Sequence, residues 1–280
     1  MAIKDILLPL VGEPNARAIA AIDKCMAVAG NLGARVTAMA VEEDISVRPK
    51  VMISSDLDNS AEAAAVRSVS DARGLLKAFD AAANRFAVRH EQRLNRLGLA
   101  DIPEIFVEPA RLVDLSMVPV KSDDDRSEQI AERLIFESGR PVLMWPEESA
   151  NELHVVFDRI VIAWDHTAPA ARAVADALPL LQDAADVRVI TATDDKTLSE
   201  LESGADLVGH LAEHGIKAIF ETIKINGSSV GKVFESYVDK NAIDLLVMGA
   251  YRHSRLNEIM WGGATKTVIG RPPCWVMMSR

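Results

Sequence analysis

The sequence is poor in cysteine. Cys25 and Cys274 are the only two, at opposite ends of 280 residues. Two isolated thiols make neither a disulfide framework nor a zinc site, and they set the expectation of a reducing compartment, the cytoplasm. Positive charge is also short: 31 Lys and Arg stand against 41 Asp and Glu, a formal net charge of −10. Such a surface repels phosphate, which argues against a generic nucleic-acid or anionic-membrane partner. No stretch approaches the roughly 18 uncharged apolar residues of a membrane span. Met1-Ala2-Ile3-Lys4-Asp5 runs straight into a strand-like segment, so no signal peptide is expected. Low-complexity runs are lacking. No Gly-x-Gly-x-x-Gly follows an apolar run, so there is no dinucleotide fingerprint.

What is present is a globular composition, 49% hydrophobic and 26% charged, enough to bury a core in about two domains. The chain also repeats itself. Ile3 to Leu10 and Phe157 to Trp164 are short apolar runs of the kind buried on both sheet faces. Each leads through a small turn into an Ala-rich helical stretch. The first spans Asn15 to Gly30, with Ile19, Ile22, Met26 and Ala29 on one face. The second spans Pro169 to Leu181, with Ala173, Val174, Ala177 and Leu178. Strands follow at Ala34 to Val41 and at Asp186 to Thr193. The halves close alike, Val113 to Val118 resembling Ile243 to Met248, and each last strand following a Gly-Arg-Pro turn. This predicts two α/β domains with mostly parallel sheets, residues 1–150 and 151–280, divided at the polar stretch Pro146–His154.

Residues 55–98 interrupt the parallel. Val66, Val69, Leu76, Phe79, Phe86, Leu94 and Leu97 fall at helical spacing, with Gly98 as a stop. One helix of that length would reach about 60 Å, so a break near Gly74 or a pair of helices is expected. It either covers the sheet or serves an interface. In the second half the pattern predicts helices over 197–215, from 230 and from 263, and strands over 218–225, 243–249 and 274–278, with 250–262 as a loop.

Several spellings mimic catalytic motifs. His210-Leu211-Ala212-Glu213-His214 reads as His-x-x-Glu-His, but it lies at a helix end before Gly215, where histidines complement the dipole. Gly227 to Lys232 is one residue short of a P-loop and lacks its Ser/Thr, so it reads as a helix start. Asp123-Asp124-Asp125 reads as a solvated loop rather than a metal site. Both cysteines read as packing residues, Cys274 in a buried strand. Trp164, Trp261 and Trp275 read as core or interface, with Trp261 bordering a pocket. No catalytic or metal-ligating set emerges.

The segments LAEHGIKA, IDLLVMGAYRHSRLNEIMWGGATKTVI and PPCWVMM resemble the universal stress protein family, and the repeat resembles its tandem, two-domain form. The likeness is strong over 157–280 and weaker over 1–146. It implies two flavodoxin-like domains, α/β and doubly wound, each with strand order 3-2-1-4-5. It also implies a homodimer and ATP with magnesium in members that keep a motif of Gly, two residues, Gly, nine residues, Gly, then Ser or Thr. Gly249 matches the first glycine and Gly262 the third. Arg252 stands at the second, and Gly263 stands where Ser or Thr belongs. Thr265 matches a phosphate-facing position, Asp165 the adenosine-binding Asp, and Ala192 the strand residue beside the base. A strand-ending glycine allows close backbone approach, and a helix N-terminus attracts phosphate. Arg252 would either pair with phosphate or block it. The first repeat has no such motif and implies no nucleotide there. Three readings stay open: a stress-response module binding ATP or a related adenine nucleotide through its second domain, a nucleotide-independent module for an unknown protein partner, and a slow ATP hydrolase.

Overall fold

A computed structural model describes residues 2–280 apart from 44–54, 98–101, 123, 149–154, 195–197 and 252–260. The first half runs β1 (Asp5–Leu10), α1 (Ala16–Leu32), β2 (Arg35–Glu43), α2 (Ser55–Arg85) and β3 (His90–Leu97). It continues with the short α3 (Ile102–Ile105) and α4 (Val107–Ala110), then β4 (Leu115–Val120), α5 (Asp125–Glu137) and β5 (Val142–Pro146). The second half runs β6 (Arg159–Ala163), α6 (Ala168–Leu181), β7 (Asp186–Ala192), α7 (Leu198–Glu213) and β8 (Ala218–Ile223). It closes with α8 (Val230–Asn241), β9 (Leu245–Gly249), α9 (Trp261–Gly270) and β10 (Trp275–Ser279).

The chain divides into two compact units. One is Ile3–Met117 with Ala150–Val155. The other is Val118–Ser149 and Val156–Arg280 with Met1–Ala2. The contact border thus falls inside β4, and α5 and β5 group with the second half. The reason is a ladder: β5 runs antiparallel to β10, Met144 opposite Val276 and Val142 opposite Met278. Trp145 and Trp275 stack across this joint with ring centroids 4.6 Å apart, and Phe157 meets Trp275 edge-on.

Within the first unit the strand order is β3-β2-β1-β4, all parallel. Within the second it is β5-β10-β9-β6-β7-β8, parallel except for the β5–β10 pair. The fold is α/β with mostly parallel strands, as the periodicity predicts, and doubly wound, as the family resemblance implies. Strands β1, β5, β6, β9 and β10 are apolar almost throughout because helices leave neither face to water. Helix starts follow their caps. Asn15 Oδ1 accepts from the amides of Arg17 and Ala18, Ser229 Oγ from Lys232, and Thr167 Oγ1 from Ala170.

Three expectations are corrected. The segment 55–98 is not one long helix or a pair of them. A 31-residue helix runs unbroken through Gly74, and His90–Leu97 is a strand. The helix ends where Ala87 turns left-handed (φ 55°), with Val88 N donating back to Ala83 O. The i+3 spacing of Leu94 and Leu97 misleads because β3 is an edge strand whose register is set by β2, His90 opposite Val36. Gly74 is no breaker. A Cβ there would lie 2.8 Å from Pro14 Cγ, so it marks a close contact between α2 and the turn before α1. In the Asp run, Asp124 is the N-cap of α5 and Asp125 its first residue, where negative charge favours the helix; Asp123 lies outside the described residues. Cys274 precedes β10 and is half-buried, not inside the strand.

Candidate functional site

β6 has β7 on one side and β9 on the other, and the chain reaches them by crossovers in opposite directions. A crevice therefore opens at the carboxyl ends of β6 and β9, where side chains from two loops and two helix starts converge.

On the β6 side the chain leaves the sheet through Trp164, whose amide still bonds to Ile190 O. Asp165, His166 and Thr167 make the turn into α6. His166 lies in the left-handed region (φ 61°), a conformation costing a non-glycine residue about 1–3 kcal/mol. Thr167 caps α6, and both its amide and its hydroxyl donate to Asp165 Oδ1, at 3.2 and 2.7 Å.

On the β9 side Gly249 ends the strand. A Cβ there would lie 2.5 Å from Ala170 N and 2.7 Å from Pro169 C. The glycine is required because the first turn of α6 packs directly on it. Two residues on, Tyr251 reaches across the crevice. Its hydroxyl donates to Asp165 Oδ2 at 2.5 Å and also touches Thr167 Oγ1. Its amide donates to Thr265 Oγ1 at 3.3 Å. Both Asp165 oxygens are thus engaged by the protein's own donors. The three contacts among Asp165, Thr167 and Tyr251 share two hydroxyl protons; among the described residues Oδ2 accepts from the Tyr251 hydroxyl, which leaves that oxygen one further lone pair. Burial, and then the bond to Asp165, push the Tyr251 phenol well above its ordinary range.

The sequence-derived residues separate accordingly. Asp165, Gly249 and Thr265 meet around Tyr251 and the start of α6. Thr265 is only 2% exposed and faces inward to the Tyr251 amide. Gly263 lies in the first turn of α9, where a Cβ would meet nothing within 4 Å. Gly262 belongs to the same turn. Ala192 is buried at the end of β7 and shares no hydrogen bond with Asp165. Arg252 lies outside the described residues. Thr167 and Tyr251 carry much of the geometry, yet neither stands out in the sequence. The signal for Thr167 is its place as a cap two residues before Pro169.

A second concavity, of about 260 Å3, lies on the α6–α7 side of β6. Trp164 and His166 line it while Asp165, between them, reaches Tyr251. The Trp164 indole N–H donates to Ser203 Oγ at 2.8 Å.

The other candidates sort plainly. His210 and His214 stack edge-on at the end of α7, ring centroids 4.9 Å apart. Among the described residues no group of three His, Cys, Asp or Glu is placed to hold a metal. Cys25 is buried against Met117, its Sγ 3.6 Å from the thioether sulfur, and burial pushes its thiol up. Cys274 is pushed up to about 12, chiefly by burial. Both are poor nucleophiles. No helix among the described residues is long and apolar enough to cross a membrane. In the first unit β1 ends in Val11 and Gly12 (φ 91°), with no carboxylate in the place of Asp165.

Residues 157–280 match the family model of the Universal stress protein family, so the second repeat is a domain of that family. No curated protein matches the sequence. The whole chain has the fold of a universal stress protein from Archaeoglobus fulgidus: TM-score 0.65, 14% identity, 99% of this chain and 96% of that one covered. A putative universal stress protein from Pseudomonas aeruginosa is similar in the same way: TM-score 0.60, 14% identity, 99% and 93% covered.

Proposed function

We propose that residues 157–280 form a regulatory module of a tandem universal stress protein that responds to an adenine nucleotide, with ATP and magnesium as the ligand. The repeat of residues 1–150 serves as its nucleotide-free partner. The observation carrying this reading is the hydrogen-bonded link, at one reversal of strand order, from the Asp165 carboxylate through Tyr251 to Thr265 of α9. Asp165 is an acceptor for ribose hydroxyls, and the free amides at a helix start attract phosphate. Ala192, at the neighbouring strand end, borders the base. Magnesium arrives with the phosphates, since the described residues assemble no ligand set of their own. The Tyr251 hydroxyl already occupies one acceptor position of Asp165 Oδ2, so it competes with a ribose hydroxyl there.

The role is regulation rather than turnover. Tyr251 holds its proton more tightly than free tyrosine, the wrong direction for a general base. We further assign the chain to the cytoplasm and to a homodimer, on its family resemblance.

The test is mass spectrometry of small molecules released on denaturation, followed by titration with ATP and magnesium. Bound nucleotide raises unfolding stability by about 2.7 kcal/mol at a hundred times Kd. Asp165→Ala should abolish this shift, and Tyr251→Phe should enlarge it. Phosphate release that vanishes in Asp165→Ala would convert the reading to a slow hydrolase. The internal satisfaction of Asp165 favours a second reading, a nucleotide-independent interaction module. Lack of any shift at millimolar ATP, in both the native protein and Tyr251→Phe, would establish it.

A further inference from the structure

The concavity beside α6 and α7 has the properties of a ligand site in its own right. Its volume is about 260 Å3. A protein cavity of about 150 Å3 takes one benzene ring, so this one has room for two fused rings. Its walls are apolar, formed by Ala171, Val174 and Ala175 of α6 and Leu207 of α7. At its inner end the Trp164 indole presents carbon, because its N–H is already held by Ser203. Apolar walls beside an aromatic ring favour an aromatic ring system.

The mouth is polar, with Asp206 and His210 one turn apart on α7 and His166 opposite. Asp206 is exposed and takes part in no hydrogen bond or ion pair with other described residues. Among the described residues no Lys or Arg lines the cavity. A carboxylate with no Lys or Arg beside it among the described lining residues, at the rim of an apolar pocket in a chain of net charge −10, favours a positive ligand over a phosphate. The His166 ring lies 5.9 Å from that of Trp164, and the left-handed backbone at His166 turns the chain at this rim.

The geometry points to a binding site for a small protonated aromatic amine, its fused rings between α6 and α7 against Trp164 and its ammonium group at Asp206. This site is separate from the nucleotide crevice and independent of that reading, since Asp165 faces away from it.

Titration of the full chain with tryptamine tests the assignment, by calorimetry and by indole fluorescence. Saturable binding at submillimolar concentration is expected. Asp206→Asn should weaken tryptamine at least tenfold while leaving neutral indole unchanged. Ala175→Phe, at an exposed wall position, should fill the cavity and abolish both without loss of folding. The proposal fails if no saturable binding occurs. It fails equally if binding survives Ala175→Phe, if indole-3-acetate binds as well as tryptamine, or if ATP displaces tryptamine by competition.

Discussion

At the amino ends of their strands the two repeats use the same device. In the first, Asp114 Oδ2 accepts from the amides of Lys4 and Asp5, at 2.8 and 3.0 Å, while Asp114 N donates to Asp5 O. In the second, Asp244 Oδ2 accepts from Arg159 N at 2.7 Å, and Asp244 N donates to Arg159 O. Each staple joins the first strand of a repeat to the start of its fourth. At the carboxyl ends the repeats part. β1 gives way to Val11 and Gly12, and Asn15 caps α1 alone. β6 gives way to Asp165, and the cap Thr167 is tied to that carboxylate and to Tyr251. Both of the chain's tyrosines, Tyr237 and Tyr251, lie in the second repeat. Matching amino ends hold the sheet together. Carboxyl ends carry ligands in this fold, and they are free to diverge because no sheet hydrogen bond depends on them.

Substitutions at matched positions sharpen the contrast. The largest effect is expected at the glycines. Gly249→Ala drives a Cβ into the backbone of α6 and should destabilise by about 3 kcal/mol. Gly12→Ala meets open space and suffers only the left-handed φ, about 1 kcal/mol. Urea unfolding measures both; equal losses would contradict the close packing of α6 on β9. Next come the shared staples. Asp114→Ala and Asp244→Ala each leave strand amides unpaired and should destabilise by about 1–2 kcal/mol, alike in the two repeats. A staple effect confined to one repeat would show that the other is decoration.

The smallest effect is alkaline. A raised folded-state pKa means the folded protein keeps the Tyr251 proton after the unfolded chain has lost it. The stability is fully present below the ordinary phenol value of 10.0 and declines as pH rises past it. Tyr251→Phe should flatten that decline, and tyrosinate absorbance of the native protein should appear later than in free tyrosine. Tyr237, raised mainly by burial, adds to the same window.

The apolar strand runs and the Ala-rich faces of α1 and α6 are legible from the sequence, because each depends on neighbours a few residues away. β3 is not. Leu94 is 40% exposed on an edge strand, and pairing with β2 decides its conformation, whatever its spacing with Leu97 implies. Gly249 reads as a residue that must lack a side chain, but the obstacle is the start of α6, brought there by the fold. Asp165 stands out as a carboxylate after a buried strand. Its partner Tyr251 is 86 residues away, and only the adjacency of β6 and β9 makes them a pair.

The amino-acid sequence by itself therefore determined the strands other than β3, the principal helices, the doubling of the α/β unit and the carboxylate after the first strand of its second repeat. These follow from periodicity and capping, which act over one or two turns of chain. The tertiary structure decided which strands are neighbours, and with that the bond of Tyr251 to Asp165, the joint of β5 with β10 and the cavity between α6 and α7. Those depend on contacts between segments far apart in the chain, whose loop-closure entropy is repaid only when the whole sheet assembles.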